Sequence, residues 1–426
     1  MIYYDATQLV HWEGNLTGIP RVMYELAIRF EKFRDVDVVF VSWVKDIQSY
    51  VAIDLKKSLG EGINYIDSSD VTSLSVKKPK LSQNLLNNKI LRVGSTQLNK
   101  VAPSLNSSLK KTIRRKATND LKKIIPKKGD AIFIPWGEWW DDNFLLMLEK
   151  AARDGVRVMP LIHDVGPMVQ PQLSAHSSES LSDYCKRIVP ISSPTITISE
   201  LTKKDLTNWL KNNNCKVPQI RVFREGDDFQ FAKPIRPHDK AFISSGLKGG
   251  DYLLFVSTVE LKKNHTLIYY TYKLAKSKGI DLPKILIVGR KGWMTEAFIE
   301  LITKDPETKD NIILLNNISN EELSWLFDNC LFTVQPSFYE GWGITVAESL
   351  SRGAPVIAAD SSAMVEIAPK IVRLFSPYST DQLLSSIIDL LDPKKLETER
   401  AKAKQYKPTT WDDSYNQVIN YIREFI

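Results

Sequence analysis

The sequence PSFYEGWGITVAE, from Pro336 to Glu348 near the C-terminus, indicates the fold class of this chain. It follows an apolar run, LFTV at residues 331–334, which predicts a buried strand that ends at a Pro-Ser turn. The residues after Gly343 predict a helix that stops at Gly353, and a further strand is predicted from Val356 to Ala359. A strand, a glycine-rich loop, a helix and a strand in this order predict an α/β fold.

The glycine-rich loop has the chemistry of a site for a diphosphate and an attached polyol. The peptide N–H groups of Gly343, Ile344 and Thr345 begin the helix, so they are unpaired donors where the helix dipole favours a phosphate. Glu340 lies just outside this helix start and can accept hydrogen bonds from sugar hydroxyls. Glu348, which we predict in the first helical turn, can accept hydrogen bonds from a ribose diol.

The spacing Thr345-x-x-Glu348 also has a purely structural interpretation as a capping box, in which two side chains satisfy N–H groups at a helix start. Capping alone leaves Glu340, Gly341 and Gly343 without a role. We therefore favour the ligand-binding interpretation of the loop.

This segment resembles the signature of the family 4 retaining glycosyltransferases, in which seven residues separate two glutamates in the context E-G-[FW]-G-[LI]-x3-E. The resemblance implies the GT-B fold, in which two Rossmann-like domains face a central cleft and a C-terminal helix crosses back to the N-terminal domain. It also implies a nucleotide-sugar donor in the cleft, with neither a metal ion nor a cofactor. By position, Glu340 would contact the donor sugar as a catalytic residue and Glu348 would contact the ribose. The diphosphate would bind four residues between them, Gly341, Gly343, Ile344 and Thr345.

Four further segments occur in the order that this family requires. The first, TGIPRV at residues 17–22, opens a predicted amphipathic helix whose apolar residues are Ile19, Val22, Met23, Leu26, Ala27 and Phe30. Gly18 leaves room for a ligand, and in the family this loop closes over the donor phosphate and the acceptor. A turn glycine by itself is usually structural.

The second segment is a predicted strand from Val156 to Ile162, whose carboxyl end delivers His163 and Asp164. Ligands of open α/β sheets bind at that edge. A lone histidine after a strand is more often structural than catalytic. However, His163 matches the family histidine that touches the donor sugar near the reacting carbon, so the resemblance predicts a catalytic role.

The third segment, FVSTVELKKNH at residues 255–265, resembles the family segment G-T-x-E-P-R-K-N. Lys263 matches the lysine that neutralises the diphosphate, which would make it a catalytic residue that stabilises the leaving group. Lys262 is predicted to share in donor binding. Many members carry an arginine six positions before the lysine, where this chain has Ser257. A solvated Lys-Lys turn is the alternative.

The fourth segment, ILIVGRKGW at residues 285–293, predicts a parallel strand that ends in glycine, and the family places such a turn against the nucleotide base. Arg290 is predicted to assist in binding the donor phosphates. Ile312 to Leu315 predicts the next strand, and Ser319 to Glu322 predicts a structural helix cap.

The chain divides into two predicted domains. Residues 1–233 form an N-terminal acceptor-binding domain that carries a basic insertion at about 77–128 and is completed by a C-terminal helix within about 401–426. Pro234 to Pro237 forms the predicted linker, and residues 238–400 form the nucleotide-sugar-binding domain. The predicted final helix begins at Trp411 and has one apolar face, formed by Tyr415, Val418, Ile419 and Ile422.

The composition is typical of a large globular enzyme. The 426 residues are 43% hydrophobic, 25% charged and 10% aromatic, which supports two domains and excludes fibrous and disordered classes. The chain starts without a basic region before an apolar stretch, and its apolar runs are shorter than the roughly 20 residues that span a bilayer. The three cysteines, Cys185, Cys215 and Cys330, are isolated and lack metal-ligand spacing. We therefore expect a cytoplasmic location.

The positive charge is concentrated in one segment. Residues 77–128 contain fifteen Lys and Arg against Asp120 alone, a local charge of +14, so the rest of the chain carries −7 within the formal +7. Interleaved leucines and isoleucines indicate a basic amphipathic helix, which would adsorb to an anionic leaflet with about 1 kcal/mol per basic residue. We expect this segment to dock on the inner face of the cytoplasmic membrane. A solvated loop is the alternative, and nucleic acid is disfavoured because the stretch has no aromatic residue on which bases would stack.

Together these segments predict the retaining transfer of a hexose. The TGI, HD and GRKGW segments look most like those of bacterial O-antigen and capsule mannosyltransferases, which implies mannose from GDP-mannose and a glycan or lipid-linked acceptor. Rhamnosyl, glucosyl and galactosyl transfer stay open, because loops decide the sugar and the base. A nucleotide-sugar epimerase, a glycogen-type phosphorylase and a nonenzymatic binding protein are the rival classes.

Overall fold

The structure of the protein, a computed structural model, describes residues 1–12, 16, 18–33, 35–61, 121–174, 178–228 and 234–426. These residues form two α/β halves, each built on one β-sheet. The predicted α/β fold class, with two Rossmann-like units, is confirmed by this topology.

The strands of the N-terminal half are β1 (Ile2–Asp5), β2 (Val38–Val44), β3 (Ser49–Ala52), β4 (Ala131–Ile134), β5 (Arg157–Ile162), β6 (Thr195–Thr197) and β7 (Ile220–Val222). They form a seven-stranded sheet in the order β3-β2-β1-β4-β5-β6-β7. Neighbouring strands pair in parallel, except that β2 and β3 are antiparallel. β1 and β4 are buried along their whole length, because helices cover both faces of the sheet.

The helices of this half are α1 (Thr7–Val10), α2 (Ile19–Phe33), α3 (Leu55–Glu61), α4 (Asp142–Arg153), α5 (Gly166–Val169), α6 (Glu179–Arg187) and α7 (Glu200–Asn212). Single 3-10 turns occupy Lys45–Ile47, Pro171–Leu173 and Val189–Ile191. Of the six apolar positions predicted for α2, five are buried and only Ile19 is partly exposed, so the predicted amphipathic face is the one that packs on the sheet.

The strands of the C-terminal half are β8 (Tyr252–Val256), β9 (Lys284–Val288), β10 (Ile312–Leu315), β11 (Thr333–Gln335), β12 (Val356–Ala359) and β13 (Arg373–Phe375). They pair in parallel in the order β10-β9-β8-β11-β12-β13. This order is that of a Rossmann fold, with its topological switch point between β8 and β11.

The helices of this half are α8 (Lys240–Ser244), α9 (His265–Ser277), α10 (Glu296–Lys304), α11 (Asn320–Asn329), α12 (Ile344–Ser351), α13 (Met364–Ile367), α14 (Thr380–Leu390) and α15 (Pro393–Ala403), with a 3-10 turn at Leu261–Lys263. The predicted cap at Ser319 is confirmed as a capping box with Glu322. β5 begins one residue after the predicted Val156. β6 stops at Thr197 because Ser199 is the N-cap of α7 and accepts a hydrogen bond from the peptide N–H of Thr202.

The last helix, α16 (Trp411–Arg423), lies on the N-terminal half, as the predicted fold requires. The ring of Tyr415 contacts that of Phe30 edge-on at 5.0 Å between centroids, and Nε of Arg29 lies 2.6 Å from Oδ1 of Asp412. Gly226 allows this approach, because a Cβ atom there would lie 2.5 Å from the Trp411 ring. The C-terminal segment is therefore part of the N-terminal core.

Most of the basic segment, residues 77–120, lies outside the described residues. The membrane prediction for that part therefore stays a prediction. Among the described helices, none combines the length and the apolar character that crossing a bilayer requires.

Candidate active site

The predicted site residues come together because they follow the carboxyl ends of central parallel strands in the two sheets. His163 follows β5, the Leu261–Lys263 turn lies just beyond β8, and the glycine-rich loop at 336–343 follows β11. The two sheets present these edges to each other, so residues far apart in sequence line one cleft.

The glycine-rich loop touches the N-terminal half directly. A Cβ atom on Gly341 would lie 2.1 Å from the carbonyl oxygen of His163, so only glycine allows the loop to approach the end of β5 this closely. The hydroxyl of Tyr339 donates to Oδ2 of Asp205 at 3.0 Å. The cleft is thus closed at this point by contacts between the two halves.

A second contact across the cleft is an unusual helix cap. The carboxylate of Glu366, which lies in the C-terminal half, accepts hydrogen bonds from the peptide N–H groups of Glu200 at 3.0 Å and Leu201 at 2.7 Å. These are the first two residues of α7, in the N-terminal half. A carboxylate at a helix start is favoured both by the unpaired N–H groups and by the helix dipole. Glu366 therefore helps to hold the two halves together.

Glu340 and Lys263 are paired with each other. Nζ of Lys263 lies 2.6 Å from Oε1 of Glu340, and the hydroxyl of Ser337 donates to the same oxygen at 2.7 Å. Burial acts to raise the pKa of Glu340, but the charges of Lys263 and Lys262 and these hydrogen bonds outweigh it, so the pKa lies below its ordinary value. Glu340 is therefore ionised in the cleft.

The position of Lys263 is determined by the residue that follows it. Asn264 adopts a left-handed conformation with φ of 60°. Its side-chain amide donates to the carbonyl oxygens of Pro336 at 3.1 Å and Pro377 at 2.8 Å. The turn that carries Lys263 is therefore attached to the start of the glycine-rich loop, which explains how the two segments meet.

Glu348 is buried on α12 and faces the N-terminal half. Nη1 of Arg21, in the first turn of α2, lies 3.4 Å from Oε1 of Glu348. Burial raises the pKa of Glu348 to about 7, although the nearby charges of Arg21 and Arg352 act to lower it. The carboxylate thus titrates close to neutral pH.

The capping-box interpretation of Thr345 and Glu348 is wrong. The N-cap of α12 is Gly343, which has φ of 98° and makes no side-chain cap, and Glu348 is the fifth residue of the helix rather than part of its first turn. A Cβ atom at Gly343 would also lie 2.8 Å from Cγ of Met364. The left-handed glycine shifts the helix start by two residues, which moves Thr345 and Glu348 out of capping positions.

The ring of His163 is held by the N-terminal half. Its Nε2 atom lies 2.8 Å from the carbonyl oxygen of Pro135, which can only accept, so Nε2 carries a proton and donates it there. Its Nδ1 atom lies 3.7 Å from Oε1 of Glu225. The part of His163 that meets the glycine-rich loop is the backbone carbonyl rather than the ring.

Gly18 and Lys262 also lie at the cleft. Gly18 has φ of 57° and precedes α2, and a Cβ atom there would meet none of the described residues within 4 Å. Nζ of Lys262 lies 3.6 Å from Oδ2 of Asp164 across the cleft and 3.8 Å from Oε1 of Glu260. Its ammonium group therefore has two carboxylates close by.

Arg290 is less closely connected to these residues. Its side chain is exposed, and its carbonyl oxygen accepts a hydrogen bond from the N–H of Val259 at 2.9 Å. The preceding Gly289 is required by packing, because a Cβ atom there would lie 1.8 Å from the carbonyl oxygen of Ser257. The predicted phosphate contact of Arg290 stays a prediction.

Two residues of the cleft, Arg21 and Asp164, were not among the predicted site residues, although both lie in segments that resemble the family. Arg21 reaches Glu348 and Asp164 reaches Lys262, and each contact joins the two halves. A third contributor, the WGEWW segment at residues 136–140, follows the carboxyl end of β4. The signal that could have found it is its place at the switch-point edge of the sheet, next to β5.

Within the described part of the chain, no group of three or more His, Cys, Asp or Glu side chains could hold a metal ion. The prediction that no metal and no cofactor are required stays a prediction.

The architecture is shared with solved structures of the GT-B class, at sequence identities that carry information on the fold alone. Sucrose-phosphate synthase from Thermosynechococcus elongatus superposes with a TM-score of 0.62 at 15% identity, covering 99% of this chain and 98% of that one. Anabaena HepE, solved in complex with UDP and glucose, gives a TM-score of 0.59 at 14% identity and covers 99% of both chains. The fold and the cleft therefore define a GT-B protein.

The sequence identifies the C-terminal half more closely. Residues 238–408 match the family model described as Glycosyl transferases group 1, so this part of the chain is a glycosyltransferase group 1 domain. The resemblance noted from the sequence motifs is thereby confirmed.

The curated relatives include mannosyltransferases at low identity. O-antigen chain mannosyltransferase B of Escherichia coli is 26% identical over 175 residues, which are 40% of this chain and 45% of the relative. The serotype-specific mannosyltransferase WbdA of Escherichia coli is 22% identical over 241 residues, which are 54% of this chain and 29% of the relative. The chain thus spans less than half the length of these two relatives.

Proposed function

We propose that the chain is a retaining, metal-independent glycosyltransferase that moves mannose from GDP-mannose onto a glycan or lipid-linked acceptor in the synthesis of bacterial O-antigen or capsule. The group 1 domain and the names of the relatives support a sugar transfer of this kind. Rhamnose, glucose and galactose are the alternative sugars, because nothing in the described cleft reads the sugar hydroxyls uniquely.

The observation that carries the proposal is the Lys263–Glu340 pair at 2.6 Å beside the start of α12. A donor diphosphate placed on the N–H groups of α12 would attract the ammonium group of Lys263. Glu340 would then be released to accept hydrogen bonds from the hydroxyls of the donor sugar. The pair thus places two opposite charges where two parts of one ligand, the diphosphate and the sugar, would need them.

In the reaction, the hydroxyl oxygen of the acceptor forms a bond to the anomeric carbon while the bond from that carbon to the diphosphate oxygen breaks. The departing diphosphate takes the hydroxyl proton, so no protein base is required. Lys263 and the helix-start N–H groups stabilise the charge that develops on the diphosphate. Attack from the face that the diphosphate leaves retains the anomeric configuration.

The ribose of the donor would bind at the other end of the loop. Glu348 is buried beside Arg21, and at the adjacent helix start a Cβ atom on Gly18 would meet none of the described residues within 4 Å. An ionised Glu348 can accept hydrogen bonds from both ribose hydroxyls. Closure of the two halves over the donor would bring the α2 helix start against the same ligand.

The test is a panel of GDP-, UDP- and dTDP-sugars, first for thermal stabilisation and then for transfer, with the product anomer assigned by NMR. GDP-mannose should stabilise the chain, and the transferred mannose should keep the anomeric configuration that it has in the donor. Glu340→Gln should lower kcat by about 100-fold or more, because a neutral amide neither pairs with Lys263 nor orients the sugar equally well. Glu397→Gln, at an exposed position on α15, is the matched control.

An inverted product anomer would exclude the retaining mechanism. Full turnover by Glu340→Gln would exclude the assigned role of this residue and favour a binding protein.

We also propose that the protein is cytoplasmic and docks on the anionic inner face of the cytoplasmic membrane through its basic segment. The described end of that segment supports this, because Ile125 is 74% exposed and stands between the exposed pairs Lys122-Lys123 and Lys127-Lys128. Ile124 is anchored to β3, since its N–H donates to the carbonyl oxygen of Tyr50 at 2.8 Å. An apolar side chain held between four lysines is suited to an anionic lipid surface.

Liposome flotation with and without acidic lipid tests the docking. The chain should float only with acidic vesicles, and Ile125→Ser should reduce the recovery. Tyr378→Ser, at a position that is 77% exposed, is the control. Equal recovery with neutral and acidic vesicles would contradict the proposal.

A further inference from the structure

A cavity of about 550 Å³ opens beside the donor loop, between the two halves of the protein. Four of the ten tryptophans line it: Trp136, Trp139 and Trp140, which follow β4, and Trp293, which follows β9. Tyr339, the neighbour of Glu340, forms part of the same wall. The cavity is therefore continuous with the proposed catalytic cleft and has the size of an ordinary ligand pocket.

The tryptophans are held in place by the core rather than by one another alone. A Cβ atom on Gly137 would lie 3.1 Å from Cγ2 of Ile134, so the turn packs tightly onto the end of β4. The ring of Trp139 lies 6.1 Å from that of Trp136 between centroids. Trp140 is 53% exposed, with Nζ of Lys45 at 5.9 Å from its ring centroid. A large aromatic surface is thus fixed at the mouth of the cleft.

The charges that line the cavity cancel. Among the described residues that line it, Asp164 and Lys262 are the two charged ones, and they lie 3.6 Å apart as an ion pair. A diphosphate would gain little from such a wall, because its charge would meet a carboxylate as well as an ammonium group. A neutral ligand has no net charge, so the carboxylate of this ion pair does not repel it.

Two of the lining residues each carry a buried polar atom that lacks a described hydrogen-bond partner: Trp136 with its donor Nε1, and Gln170 with its acceptor Oε1. Buried polar groups are normally satisfied, so an unsatisfied donor and acceptor in one cavity point to a ligand that carries hydroxyl groups. Broad aromatic faces next to such groups match a pyranose ring, whose faces carry C–H groups and whose edge carries hydroxyls.

We propose that this cavity is the acceptor subsite and that it takes the end of a neutral glycan, with pyranose rings on Trp139 and Trp140. Hydroxyls of the same glycan bind Nε1 of Trp136 and Oε1 of Gln170. The inference rests on the proposed function, because only a transferase needs an acceptor here. It narrows the acceptor to a sugar chain whose recognised part is uncharged, rather than to a diphosphate headgroup.

The experiment titrates the full chain with mannotriose, maltotriose and inorganic pyrophosphate by calorimetry, for the parent, Trp140→Ala and Tyr270→Ala. Tyr270 is 52% exposed on α9, which makes it a matched exposed aromatic outside the cavity. Trp140→Ala should raise the Kd for at least one of the two oligosaccharides by about tenfold or more, the scale of one lost aromatic contact. Tyr270→Ala should leave these Kd values unchanged. Thermal unfolding of each variant shows whether the fold is kept.

Oligosaccharide binding that is equal in the parent and Trp140→Ala would overturn the inference. So would pyrophosphate binding that Trp140→Ala abolishes, because the cavity would then serve a charged headgroup. A chain that binds oligosaccharide through Trp140 but is stabilised by no nucleotide sugar would retain the glycan subsite and refute the transferase. Nucleotide-sugar binding without any oligosaccharide binding would refute the glycan subsite and leave the proposed transferase standing.

Discussion

Glu348 should destabilise the folded protein at neutral pH, which makes Glu348→Gln an informative perturbation. The side chain of Glu348 is 9% exposed, and burial raises its pKa from 4.5 to about 7 in spite of Arg21 and Arg352. A pKa difference of this size corresponds to roughly 3 kcal/mol between the folded and unfolded states. Solvent screening reduces this value little, because the group is buried.

The direction in which the stability contribution of Glu348 changes with pH follows from proton binding. Between pH 4.5 and about 7 the folded chain keeps a proton that the unfolded chain has released, so the contribution of Glu348 to stability falls as pH rises through this window. Below 4.5 both states are protonated, and the contribution is fully present. A glutamine has no charge to bury, so Glu348→Gln should match the parent in acid. It should exceed the parent at pH 8 by up to about 3 kcal/mol, less the loss of the Arg21 contact at 3.4 Å.

Urea unfolding of the two proteins at pH 5, 6.5 and 8 measures the difference, with Glu397→Gln at an exposed site as the control. The stability gap between Glu348→Gln and the parent should widen with pH. A variant that is less stable than the parent at pH 8, or a gap that does not depend on pH, would refute the reasoning.

The same residue gives a functional readout. If an ionised Glu348 accepts hydrogen bonds from the ribose, nucleotide binding should tighten as pH rises through about 7. Glu348→Gln should bind nucleotide more weakly and without this pH dependence, which calorimetry at pH 6 and pH 8 can measure. Greater stability together with weaker binding would identify Glu348 as a residue kept for function at a cost in stability.

Two further changes test the contacts that close the cleft. Gly341→Ala should lower kcat by about 100-fold, because the new Cβ would lie 2.1 Å from the carbonyl oxygen of His163 and would hold the halves apart. Gly279→Ala is the comparison variant: its φ of 69° makes the substitution strained, but no atom lies within 4 Å of the new Cβ, so it should keep its turnover. Glu366→Ala should destabilise the docking of the halves by about 1 kcal/mol and speed hydrogen exchange of the first two amides of α7.

Equal turnover of the two glycine variants would show that the loop does not need to approach β5 for activity. For the cap, Glu397→Ala is the control, since Glu397 lies exposed on α15. Unchanged exchange at the start of α7 in Glu366→Ala would mean that the cap across the cleft is not populated in solution.

Local order along the chain could be predicted because it depends on patterns a few residues long. The apolar run before Pro336 and the glycines at 341 and 343 predict a strand, a loop and a helix, and β11 and α12 occupy those places. The start of α12 at Ile344 agrees with the helix predicted after Gly343. The capping-box alternative fails, because the left-handed conformation of Gly343 begins the helix two residues earlier than a box with Thr345 as its N-cap requires.

The class of the fold, the order of the strands along the chain and most of the segments at the cleft could be predicted from the amino-acid sequence, the WGEWW segment excepted. These predictions follow from short apolar runs and from the rule that ligands bind at the carboxyl ends of parallel strands. Which of these residues meet depends on the tertiary structure. Lys263 pairs with Glu340 across 77 positions and Arg21 with Glu348 across 327, because strand order and the approach of the two halves bring them together. The raised pKa of Glu348 is likewise a property of the packed protein, since burial causes it and no local pattern encodes burial.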